Sequence, residues 1–154
     1  MTHPPMDRSR LIIPALGGIY ETFSPYTWLM VRVITGVLLI PHGYAKLFTA
    51  GAIDGTAGFM DSLGLAPGVF WAWVIALLEF FGGILLAVGF LTRPIAAMVV
   101  GFMAVAAFYV HWDAGFFWNK GGYEYPLMWG VVALAILIRG GGAYSVDRKL
   151  GREF

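Results

Sequence analysis

The sequence has 154 residues, 59% of them hydrophobic and 12% charged, with a net charge of +1 and no cysteine. Soluble domains carry about 25% charged residues, so the composition points to a polytopic membrane protein with room for four spans. The balanced charge excludes a polybasic nucleic-acid surface. The missing cysteine excludes disulfides, thiol catalysis and Cys-ligated iron–sulfur clusters within the chain.

Residues 1–24 read as an N-terminal segment outside the bundle, polar at first, with Arg8 and Arg10. Leu11–Tyr20 is too short to span and reads either as an interfacial helix leading into the first span or as an ordered loop. It is broken by Pro14 and Gly17-Gly18 and lacks an Ala-x-Ala site, so no cleavable signal peptide is expected. The first span is placed at about 25–48 and is the most polar, with Arg32, His42 and Lys46. Arg32, Gly36, Leu39, Gly43 and Lys46 fall on one helical stripe, and the two glycines would let another helix approach closely. Pro41 removes one backbone hydrogen bond, so a kink near His42 is expected. Residues 49–66, rich in glycine and carrying Asp54 and Asp61, read as a loop.

The second span, 68–90, holds a single charge, Glu79. Glu79 lies about 16 Å from either end at the helical rise. An acidic side chain at that depth costs about 2.5–3.5 kcal/mol to insert, so a partner is expected elsewhere in the chain. A tight turn leads to the third span, 94–112, which ends on His111 and Trp112. An aromatic, glycine-rich loop follows. The fourth span, 124–139, opens on Glu124 with Pro126 in its first turn. Residues 140–154 read as a tail.

Lys and Arg set the expected orientation. Arg8, Arg10, Arg93, Arg139, Arg148, Lys149 and Arg152 fall on one side, against Lys120 and the more marginal Lys46 on the other. By the positive-inside rule both termini, including the tail, are cytoplasmic. The expected fold is therefore an all-α integral membrane four-helix bundle, with residues 25–139 as the bundle.

Orientation also gives depth. His42, Lys46, His111 and Glu124 come from three helices at a similar outer level, with Glu79 deeper and Arg32 deeper still. Intramembrane ionisable residues usually face the bundle interior and pair with one another. The expectation is a polar cavity in which Glu79 pairs with Arg32 or Lys46, and Glu124 with Lys46 or a histidine. The alternative is that the pairs only hold the helices in register. His42, His111 and Glu124 could form a two-histidine, one-carboxylate metal site, and the two histidines could ligate haem, but no local spacing favours either.

Three groups of residues resemble the DoxX family of small four-span bacterial membrane proteins. They are Arg32-x3-Gly36-x5-His42-Gly43-x2-Lys46-Leu47; Glu79-x2-Gly82-Gly83-x5-Gly89-x2-Thr92-Arg93; and Gly121-Gly122-x-Glu124-Tyr125-Pro126 with Gly140-x-Gly142-x-Tyr144-Ser145-x-Asp147. The resemblance covers about residues 28–148. It implies a four-helix bundle in the bacterial inner membrane and, since the family name derives from a thiosulfate:quinone oxidoreductase subunit, redox chemistry linked to quinone. Related folds also serve as chaperones or cargo receptors, so the resemblance constrains architecture more than activity.

Two functions follow as expectations. The first is a quinone-linked oxidoreductase or a membrane subunit of one. Glu79, His42 and Glu124 would then handle protons, and Arg32, Lys46, His111 and Trp112 would bind a small lipophilic molecule. A partner subunit or a second copy of the chain would complete it. The second is a non-enzymatic assembly factor or accessory subunit, docking through the small-residue faces and the aromatic loop Phe116-Phe117-Trp118.

Overall fold

The computed structural model describes residues 7–152, and among them every regular element is helical. The elements are α1 (Gly17–Phe23), α2 (Thr27–Phe48), α3 (Ala52–Ser62), α4 (Gly68–Val88), α5 (Thr92–Val110), α6 (Glu124–Arg139) and a last turn, α7 (Val146–Lys149). Among the described residues three helical stretches are long and apolar enough to cross a bilayer: Pro14–Phe48, Gly68–Val88 and Thr92–Val110. At 1.5 Å per residue α6 is only about 24 Å long.

One element decides between two sequence readings and another differs from its reading. Leu11–Tyr20 takes the helical alternative from Pro14 onward, where the chain is helical and leads into α2. The stretch expected as a loop at 49–66 contains the helix α3. Gly51, at φ +74°, turns the chain into it, and Asp54 sits at the positive end of its dipole. Gly55 and Gly58 cost α3 helix propensity, about 1 kcal/mol each. Packing against α4 offsets this: Met60 is buried, and Gly68 presses against the Ala57 carbonyl with no room for a Cβ. The Asp61 carboxylate accepts the Gly68 N–H at 2.6 Å, capping α4. α2 runs through Pro41 unbroken.

The bundle is built from two tight helix pairs. In the first, α2 lies against α4. A Cβ on Gly36 would strike the Gly83 carbonyl, and one on Gly43 would strike the Phe80 backbone nitrogen. The α2 stripe thus meets α4 backbone to backbone, as its two glycines allow. In the second pair α5 lies against α6, with Ala96, Val99, Ala133 and Ile136 in a shared core with Leu39, Leu78 and Leu86.

The pairs are clamped at one end. There the guanidinium of Arg32, fully buried, donates to four carbonyls: Leu86 (2.8 Å), Ala87 (2.6 Å), Gly141 (3.1 Å) and Tyr144 (2.7 Å). Asp147 accepts the N–H groups of Leu91 (2.8 Å) and Thr92 (2.9 Å) at the start of α5. Trp28 donates to the Gly140 carbonyl at 2.9 Å, beneath the Arg139 guanidinium. Toward the other end α4 and α5 draw apart: their contacts run from the Gly89–Leu91 turn as far as Leu78–Gly82 and thin out beyond it. The opened end holds the site.

Candidate ligand site between the helices

Two π-helical turns shape the open end. One, Leu78–Gly82, carries Glu79; the other, Ala106–Val110, runs up to His111. Such turns insert a residue into the helical register and occur mostly at functional sites. Each lies beside the same cavity of about 290 Å³. Its polar wall is His42 and Thr35 from α2, Glu79 from α4 and His111 beyond α5; its apolar wall includes Leu39, Phe102, Met103 and Trp129. The mouth lies between α2 and α6, where Leu38, His42 and Tyr125 are exposed.

Glu79 finds its partner one helix away. Lys46 Nζ donates to Glu79 Oε2 at 2.7 Å. The Glu79 side chain is 7% exposed and that of Lys46 25% exposed. Glu79 therefore faces the polar cavity, while Lys46 borders a second, more open cavity of about 460 Å³ beneath α3. His111 lines both. Its Nδ1 lies 2.7 Å from the Gly121 carbonyl. A carbonyl can only accept, so Nδ1 carries the proton and Nε2 remains as acceptor, or as second donor in the cation.

The structure thus brings His42, Lys46, Glu79 and His111 together. Arg32 lies away from them: it is the centre of the clamp, and its donors are committed to carbonyls. Glu124 does not pair with Lys46 or a histidine. Its Oε2 accepts the Trp118 N–H at 3.1 Å and so holds the 113–123 loop against the start of α6. Trp112 stacks on Tyr123, with centroids 4.8 Å apart, and is not part of the cavity wall. Among the described residues no three His, Asp or Glu side chains gather as metal ligands, so His42, His111 and Glu124 do not form that cluster. Phe102 and Trp129 escaped sequence reasoning. On an unbroken helical wheel nothing distinguishes Phe102 from the apolar residues around it.

The DoxX family model matches residues 27–112, more than half the chain. The chain belongs to the DoxX family. The match holds all four residues gathered at the site and Arg32 of the clamp, and leaves out Glu124 and the 140–147 segment. An inner membrane protein of Escherichia coli, YqjF, is 35% identical over 126 residues, covering 82% of this chain and 93% of its own. A second from that bacterium, inner membrane protein YphA, is 30% identical, covering 81% of this chain and 91% of its own. A Bacillus subtilis protein named "Putative oxidoreductase CatD" is 33% identical over 108 residues, covering 70% of this chain and 76% of its own. No solved structure matches. This DoxX protein is accordingly an inner-membrane protein, with several apolar helices able to span the bilayer.

Proposed function

We propose that this DoxX protein is a quinone-linked membrane oxidoreductase component, with four spans, both termini cytoplasmic, and the polar cavity as its quinone site. The observation that carries the reading is one cavity lined by two imidazoles and by the Glu79 carboxylate, which Lys46 pairs from behind. The cavity is of the size of small-ligand pockets, which start at about 300 Å³. Its donor set fits a ring with two carbonyls: His42 can offer one hydrogen bond, and the Nε2 of His111 offers a second when that imidazole is cationic. Bound quinone would supply the electron-accepting chemistry. The chain's own part is to bind the ring, keep bulk water off it, and hold protons at Glu79 and the histidines, with Lys46 fixing the carboxylate. Electrons would come from a partner subunit or directly from a donor substrate. The relative named an oxidoreductase is consistent with this chemistry.

The test is extraction of protein purified in mild detergent, followed by mass spectrometry for quinones and an absorption spectrum. Wild type is expected to hold close to one quinone per chain, with His42→Ala and His111→Ala each losing most of it. A haem band would reassign the two imidazoles as iron ligands. Wild-type protein empty of quinone, but tightly bound to another subunit, would overturn the reading in favour of an accessory or assembly role. The exposed Phe117 and Trp118 of the outer loop favour that second reading, because they offer an apolar face to a partner.

A further inference from the structure

A third cavity, of about 310 Å³, lies in the gap where α4 and α5 draw apart. Trp71, Ile75 and Leu78 form its α4 wall and Gly101, Phe102 and Ala106 its α5 wall; no charged side chain reaches it. Phe102 and Ala106, one helical turn apart, also line the polar cavity. The bundle therefore has a polar compartment and an apolar one backed onto the same two side chains. On α4 the division falls between neighbours, with Leu78 facing the cleft and Glu79 the polar cavity.

We propose that the ligand of the polar cavity carries a long apolar tail, that this tail lies in the α4–α5 cleft, and that the Phe102 ring is the partition it passes. The inference rests on the ring-binding reading above and adds the ligand class: a prenyl- or alkyl-tailed ring taken sideways from the bilayer, rather than a small water-soluble one. The 290 Å³ of the polar cavity holds a ring and little more, so a tailed ligand must extend out of it. The clamp closes one end. Close packing seals the α2–α4 and α5–α6 sides, where Gly83 lies against the Gly36 carbonyl and a Cβ on Gly130 would come within 3.3 Å of Met103. Three routes remain: the α2–α6 mouth, the cavity beneath α3 and the α4–α5 cleft. The mouth is bordered by His42 and the cavity beneath α3 by Lys46 and His111, whereas the cleft offers apolar contact alone, which is what a hydrocarbon chain gains from.

Gly101 serves the test. A Cβ there meets no atom within 4 Å, so a side chain has room at its root, and Gly101→Leu adds bulk to the α5 wall of the cleft. Binding of two probes would be measured on wild type, Gly101→Leu and Leu38→Trp: a methoxy-substituted benzoquinone without a tail, and the same ring bearing a decyl chain. Comparing variants with one probe cancels its partition into detergent. The expected result is that Gly101→Leu weakens the decyl probe about tenfold, the equivalent of roughly two displaced methylenes. The tail-less ring should bind Gly101→Leu as it binds wild type. Equal effects on both probes, or no effect on either, would overturn the tail assignment and leave the ring site standing. Selective loss of the decyl probe in Leu38→Trp would also overturn it, by sending the tail through the α2–α6 mouth. Failure of both probes to bind wild type would overturn the ring site and the tail inference together.

Discussion

Lys46 and Glu79 are held 33 positions apart in sequence by a 2.7 Å contact. Removing one charge from such a pair strands the other, at a cost of about 3–5 kcal/mol when both are buried. The partial exposure of Lys46 brings Lys46→Met to the lower end of that range. The double variant Lys46→Met with Glu79→Leu should recover most of the loss, read as thermal midpoints in detergent; strictly additive losses would refute the coupling. Arg32 asks a different question. Of its four carbonyl acceptors only that of Leu86 also receives a backbone N–H at this turn, from Gly89 at 3.2 Å, and each lost hydrogen bond is worth about 1 kcal/mol. Arg32→Met should therefore destabilise by about 3–4 kcal/mol in the same assay while leaving ring affinity unchanged in protein that stays folded. A selective loss of affinity at unchanged stability would return Arg32 to the site.

At the scale of elements, identical substitutions should have opposite signs. Gly43→Ala drives a methyl into the Phe80 backbone, and neither helix backbone can yield without separating α2 from α4. A stability loss of about 1–3 kcal/mol is expected, typical of overpacking. Gly55→Ala in α3 meets nothing within 4 Å and removes the entropy cost of a glycine inside a helix. It should leave the midpoint unchanged or raise it slightly. If both variants behave alike, the contrast between buried and open glycines does not govern this fold. The sequence stripe Gly36–Gly43 foretold the first contact because small residues at helical spacing carry a simple packing meaning. It could not foretell α3: glycine-rich composition reads as loop until the partner surface of α4 is known.

The whole molecule is a clamp with one closed and one open end, and its placement in the membrane is testable from the outside. The chain has no cysteine, so single cysteines report without background. At Ser9 and Arg152 they should react with a membrane-impermeant maleimide only after the inner membrane is opened, and at Gly55 in intact spheroplasts. The reverse pattern would invert the orientation inferred from Lys and Arg, and with it the side from which the site is reached.

The sequence by itself determined the class of the protein, its apolar helices, its family, and the presence of a buried carboxylate in need of a partner. Each of these is written in local composition or spacing, which the bilayer makes strict because uncompensated charge in hydrocarbon is expensive. Only the tertiary structure decided which cation serves Glu79. Lys46 and Arg32 share one face of α2, so helical periodicity could not choose between them. The choice depends on where α4 crosses that face, and on a C-terminal segment more than 100 residues away whose carbonyls occupy Arg32 first.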